Sequence, residues 1–305
     1  MKVPRKLTLF IWVLSLMITM IYPSFYKDSV KAKESDFNFK GTWLWNTKLI
    51  TKSPKEVVQN IKNQRMNEVY LQLNEDINKK NYQNFIDLCS QSSIKVYILI
   101  GSPNWISNKN SAQLNHIFSW ISDYQKNAKK TQRFSGIKVD LEPQASLMWN
   151  VDRKNAICIY QTIISQFYAY TKQQKINLLL DIAFWYNEVN YSNKYGEGNL
   201  YEWVLKNDDV TYLMTYRNKS LGSNSIQSIS EKPLKIASQL NKKVVLCIDL
   251  SISKEGDNIS FNGYSMNEIK NEIALLLPFV QTQSSFAGIS IHSYEYIFNK
   301  VPVTK

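Results

Sequence analysis

The chain has 305 residues, 44% hydrophobic and 13% aromatic, enough apolar material for one large core or two small ones. Its 37 Lys and Arg against 25 Asp and Glu give a net charge of +12. The cations are scattered and form no dense block interleaved with aromatics, which argues against nucleic acid as a partner and for a solvated lysine-rich surface. Three cysteines, Cys89, Cys158 and Cys247, fall in apolar segments with no C-x-x-C pair and no metal-like spacing, which excludes a disulfide framework and reads as buried thiols.

In chain order, residues 1–6 carry Lys2, Arg5 and Lys6, and residues 7–22 are almost wholly apolar, the layout of a secretory signal. The small-residue site Val30-Lys31-Ala32 predicts cleavage after Ala32, while the apolar run is long enough to stay as an uncleaved membrane anchor. Residues 1–32 are therefore read as signal peptide or anchor and 37–305 as the folded domain, placed outside the cell or on its surface. Membrane contact is expected only through that first segment. Its loss leaves a charge of +8, which favours anionic surfaces such as cell walls.

Eight short apolar runs then read as strands: 41–46, 68–73, 95–100, 136–142, 177–184, 210–216, 243–250 and 288–294. Between them lie helical patterns at 54–64, 82–91, 111–128, 153–174, 200–206, 226–241 and 266–279. The first of these has Ser53 as expected N-cap, Pro54 at the first helical position and Glu56 placed to complete a capping box. Strand and helix alternating eight times, with no Gly-rich phosphate loop after an early strand, predicts a single (β/α)8 barrel with a short or missing eighth helix.

In such a barrel the active site lies at the carboxyl ends of the strands. The segment Gly136-Ile-Lys-Val-Asp-Leu-Glu-Pro-Gln144 places Lys138, Asp140 and Glu142 on one face, in a line from the interior to the mouth. Lys138 is expected to be a structural charge paired with Asp140, and Glu142 the candidate acid. Asp181 and Asp249 are candidate second carboxylates, since an unpaired carboxylate on an apolar strand would be costly. Gln72, Asn74, Tyr216, Arg217, His292, Tyr294 and Glu295 would position substrate. Trp45, Trp105, Trp149 and Trp185, at strand ends or in the loops beyond, suit the CH faces of sugar rings, whereas Trp120 and Trp203 read as helix packing and Trp43 as barrel wall.

The segment 136–142 resembles the D-G-x-D-x-D-x-E strand of family 18 glycoside hydrolases, the chitinase type, and Leu213-Met-Thr-Tyr216 resembles that family's M-x-Y. The resemblance implies that Glu142 protonates the glycosidic oxygen, Asp140 orients the substrate acetamide as internal nucleophile, and Tyr216 hydrogen-bonds the same group. The chain departs from the family pattern at Ser135, Lys138, Arg217 and Tyr294. It also resembles uncharacterised secreted bacterial barrels with a tryptophan-rich first strand and an I-H-x-Y last strand. The expected function is a secreted or surface-anchored glycosidase acting without a cofactor on a polysaccharide or oligosaccharide, with the cell wall as one source. A route through Glu142 and a second carboxylate across the bond, Asp249 or Asp181, stays open beside the acetamide route. So do a non-catalytic glycan-binding barrel and a metal-dependent hydrolase built on Asp140, Glu142, Asp181, Asp249 and His292. The single mouth histidine and the lack of a His-x-His pair argue against zinc.

Overall fold

A computed structural model describes residues 37–107 and 111–298; the expected signal or anchor at 1–32 lies outside them. In chain order the strands are β1 (Gly41–Leu44), β2 (Glu68–Gln72), β3 (Lys95–Ile100), β4 (Gly136–Asp140), β5 (Asn177–Ala183), β6 (Asn190–Asn193), β7 (Gly196–Asn199), β8 (Val210–Met214), β9 (Val244–Asp249) and β10 (Phe286–His292). Eight of them close a parallel barrel in the order β1-β10-β9-β8-β5-β4-β3-β2, and β6 and β7 form a separate antiparallel hairpin. The predicted (β/α)8 architecture is therefore present. The hairpin was not foreseen, because Asn190-Tyr-Ser-Asn and Gly196-Glu-Gly-Asn lack the apolar alternation that announces a strand.

Between the barrel strands run α1 (Pro54–Asn63), α2 (Lys79–Gln91), α3 (Ser111–Asn127), α4 (Arg153–Gln174), α5 (Leu200–Lys206), α6 (Ile226–Gln239) and α7 (Met266–Ala274). The expected capping box at α1 does not form. Ser53 also ends the preceding turn Leu49–Lys52, its N–H returns to the Leu49 carbonyl, and its hydroxyl makes no cap bond. Helix α2 starts three residues earlier than periodicity indicates, because Asn78 accepts the Lys80 N–H. The pattern at 266–279 divides into α7 and a separate turn Leu277–Val280, since Pro278 has no N–H to continue a helix. After β10 a single turn, Tyr294–Ile297, stands where an eighth helix would begin. Cys89 and Cys247 are buried as expected, whereas Cys158 on α4 is half-buried.

Outward residues of each strand, such as Val69, Leu71, Ile137 and Val139, pack under the helices in one large core. The inward residues form a second core inside the barrel, with Trp43, Tyr70, Tyr97, Leu99, Leu179, Tyr212, Val245 and Cys247. Both faces of each strand are buried, which is why the strands read as near-continuous apolar runs. At the amino-terminal end of this interior, Glu68 accepts the Tyr212 hydroxyl at 2.6 Å and the Tyr70 hydroxyl at 2.9 Å, and pairs with Lys40 at 3.1 Å.

Above that layer lies Lys138, 0% exposed. Its ammonium is 2.7 Å from Oδ1 of Asp181, not paired with Asp140 as the sequence led us to expect. Two residues on along one strand, side chains project in parallel about 6.6 Å apart. The register sets Lys138 beside Leu179 and Asp140 beside Asp181, so Lys138 reaches diagonally to the neighbouring strand. Three rings enclose the ammonium: Tyr212 at 3.2 Å, Tyr70 at 4.3 Å and Trp43 at 4.5 Å to the centroids. Trp43 is thus an interior residue, and its indole N–H donates to Oδ2 of Asp181 at 3.3 Å.

Lys138→Met strands the Asp181 charge in the barrel and is expected to cost about 3–5 kcal/mol of unfolding free energy in denaturant titration. Adding Asp181→Asn is expected to recover most of that loss, the two changes being strongly non-additive. A further buried acid sits at the amino-terminal end of the barrel, just before β8. Asp208, 2% exposed, accepts the Thr211 hydroxyl at 2.5 Å on Oδ2, while Oδ1 has no hydrogen-bond partner among the described residues. Burial pushes its pKa up to about 8. The folded chain keeps a proton that the unfolded carboxyl releases above about 3.9, so this group's contribution to stability falls as pH rises from about 4 towards 8. Asp208→Asn is expected to raise Tm at pH 8 by more than at pH 4, as thermal melts across that range would show.

Candidate active site

The site is built where β4 ends. Asp140 is the last residue of β4, and Glu142 follows at the entry to the 3-10 turn Pro143–Ala145, whose proline stops the strand and turns the chain across the mouth. Gly101, just past β3, is required here: a Cβ on it would lie 1.8 Å from the Asp140 carbonyl oxygen. Both residues are half-buried. Oδ1 of Asp140 is buried with no hydrogen-bond partner among the described residues.

Burial, with the negative charges of Asp181 and Glu142, holds the Asp140 pKa well above the ordinary carboxylate range against the pull of Lys138. With Lys138 committed to Asp181, a second anion beside it has no partner, which favours the protonated form of Asp140. Glu142 is also raised, chiefly by burial and then by Asp181 and Glu255, with His292 and the Gln144 amide acting in the opposite direction. Its Oε2 accepts the Gln144 Nε2–H at 2.7 Å, and Gln144 Oε1 accepts the Tyr186 hydroxyl at 3.0 Å. Neither Gln144 nor Tyr186 was singled out from the sequence, although Gln144 closes the very segment that carries the acids. Only the strand-to-turn geometry shows that its amide comes back to Glu142.

Across the mouth, β9 and β10 bring Asp249 and His292 into register, and Nδ1 of His292 is 2.7 Å from Oδ1 of Asp249. The Trp45 indole N–H, which can only donate, lies 2.8 Å from Nε2 of His292. His292 is therefore a neutral ring with its proton on Nδ1, donating to Asp249. The second Asp249 oxygen accepts the Ser251 hydroxyl at 2.5 Å. Burial raises the Asp249 pKa, but the hydrogen bonds from His292 and Ser251 outweigh it and hold the carboxylate below its usual range.

The four proposed carboxylates thus meet around one mouth in different states. Asp181 is 2% exposed with one oxygen against Lys138 and the other against the Trp43 indole, and Asp249 is 4% exposed with both oxygens engaged. Tyr216 lies beside His292, ring centroids 6.2 Å apart, and burial, followed by Cys247 and the surrounding acids, drives its phenol pKa well upward, so it stays an O–H donor. Arg217 donates to the Tyr216 carbonyl at 2.6 Å and to Asn224 at 2.8 Å, with its guanidinium over Phe184. Among the described residues no three of His, Cys, Asp and Glu converge as a metal site.

Other candidates are placed differently. Tyr294 is fully buried in the outer core, its hydroxyl bonded to Asn60 of α1, because the chain turns off the barrel axis after β10. Glu295, 3% exposed, accepts the backbone N–H groups of Trp45 and Asn46 at 2.8 Å each and the Ser293 hydroxyl, so its carboxylate ties the β1 loop to the end of β10. Trp105 is buried against Phe167, and Trp149 is buried between the Arg153 guanidinium and Trp185. Trp45 is 37% exposed at the mouth. A cleft of about 570 Å³ extends from Trp45 over the ends of β2 and β3, lined by Gln72, Asn74, Ser102, Trp105 and His116 among others. Asn74 caps its own turn through the Asp76 N–H, and His116 pairs with Glu75 at 2.7 Å on the rim.

No protein-family model and no curated protein sequence matches the chain. Chitinases are among the solved structures it is similar to. The C-terminal domain of a putative chitinase from Desulfitobacterium hafniense DCB-2 aligns over 73% of this chain and 72% of that one, at 12% identity and TM-score 0.48. A chitinase from Chromobacterium violaceum aligns over 70% and 68%, at 15% identity and TM-score 0.44. A family 18 chitinase from Cycas revoluta, solved with (GlcNAc)3, aligns over 70% and 68%, at 13% identity and TM-score 0.44. The (β/α)8 barrel itself rests on the strand register of this chain.

Proposed function

We propose that the chain is a glycoside hydrolase acting on a polymer of 2-acetamido sugars, with Glu142 as its general acid. The observation that carries the reading is the unequal state of the carboxylates at one mouth. Glu142 is half-buried with a raised pKa, as a proton donor near neutral pH requires, while Asp181 and Asp249 have both oxygens engaged. This favours a nucleophile that the substrate brings with it over the route through a second carboxylate.

The acetamide oxygen would attack the anomeric carbon as the bond to the leaving oxygen breaks and Glu142 gives that oxygen its proton. Water would then open the cyclic intermediate, returning a proton to Glu142. Asp140, kept protonated, is a neutral partner for the acetamide, and the Tyr216 phenol is a donor for its oxygen. The cleft beside Trp45, with one broad ring exposed at its edge, offers a floor for sugar residues. The reading goes with export through residues 1–32 and with glycan at or near a cell wall as the substrate source.

Glu142→Gln is expected to lower kcat/KM on N-acetylated oligosaccharides by about 10²–10⁴-fold at unchanged thermal stability. Undiminished cleavage, measured by reducing-end release, would sink the assignment, and retained binding with no cleavage by the native chain would mark a glycan-binding barrel. The pH dependence has a defined sign. The acid must be protonated, so kcat/KM falls as pH rises through the Glu142 pKa, and this limb should lie above the ordinary glutamate range.

A further inference from the structure

We infer that Gln144, held by Tyr186, is the positioning residue that decides which oxygen of Glu142 carries the transferable proton; this rests on the reading of Glu142 as general acid. Tyr186 is fully buried, and burial drives its phenol pKa well upward, so its hydroxyl is a permanent donor. In the structure that hydroxyl donates to Oε1 of Gln144 at 3.0 Å, and the Nε2 of the same amide faces Glu142 at 2.7 Å. An amide nitrogen donates and cannot accept, so Oε2 of Glu142 must be the accepting oxygen of that bond. Among the described residues no other hydrogen bond reaches the Glu142 carboxyl, and the acid proton therefore resides on Oε1.

Three elements make the arrangement rigid. Glu142 and Gln144 flank Pro143 at the first 3-10 turn after β4, and Tyr186 comes from the 3-10 turn Phe184–Glu188 that ends β5. The Tyr186 ring is packed against Tyr160 of α4 at 6.1 Å and Trp185 at 5.2 Å. The donor at the start of the relay is thus anchored in the outer core, while its end is at the mouth. The amide bond also favours the ionised form of Glu142, moderating a pKa that burial and two neighbouring acids push up. Gln144 therefore sets direction and acidity together.

The test uses the full chain and two readouts, steady-state hydrolysis of an N-acetylated oligosaccharide against pH and carbon-13 NMR titration of the glutamate carboxyls, with Glu142→Gln assigning the Glu142 signal. Gln144→Ala is expected to move the Glu142 titration to higher pH, shift the alkaline limb of kcat/KM the same way, and lower kcat at least tenfold with little change in KM. Tyr186→Phe, which frees the amide without removing it, is expected to give a smaller shift of the same sign. A Glu142 titration and a kcat both unchanged in Gln144→Ala would overturn the inference. If Glu142→Gln hydrolyses normally, the general-acid reading falls instead, while the titration still reports whether the Gln144 bond acts on Glu142.

Discussion

The barrel interior is organised around one buried ion pair, Lys138 with Asp181, inside a cage of Trp43, Tyr70 and Tyr212. Removing two charges from water costs several kcal/mol each, and only close geometry with further bonds offsets it. Those further contacts are here: the indole N–H on Asp181 and the three ring faces on the ammonium. Everything nearer the mouth is arranged by this pair. By taking Lys138 to β5 it leaves Asp140 without a counter-charge, and the Asp181 member of the pair acts in turn on Glu142.

Charge state at the mouth follows from a shortage of cations more than from any single contact. Asp140, Glu142 and Asp181 lie within mutual influence, and the buried Lys138 serves one of them. Asp249 is held ionised by hydrogen bonds instead, from a histidine whose tautomer is set by the Trp45 indole. Burial thus raises the pKa of Asp140, Glu142 and Asp181 while hydrogen bonds lower that of Asp249, so carboxyl groups of unequal acidity share one mouth, as acid catalysis needs.

Periodicity made the barrel legible. The runs around Val69, Ile98, Ile137 and Leu180 are apolar on both faces because helices cover the outside and rings fill the inside, and the helical stripes between them can only belong to crossovers. Local hydrogen bonding was less legible. Ser53 looked like a cap and is taken up by the turn before it, and the hairpin at 190–199 is defined by backbone pairing that its polar side chains do not announce.

By itself the sequence determined eight strands in parallel order and the line of Lys138, Asp140 and Glu142 from interior to mouth, because a two-residue repeat fixes the face of every side chain. It could not determine partners across strands, since these depend on register and on how far a long side chain reaches. Tertiary structure alone decided that Lys138 goes to Asp181, that Glu295 and Tyr294 bind the chain's own backbone and α1, and that Gln144 turns back onto Glu142. Polar residues near a strand end all look alike in one dimension; burial and the geometry of donors separate those that hold the fold from those left facing the mouth.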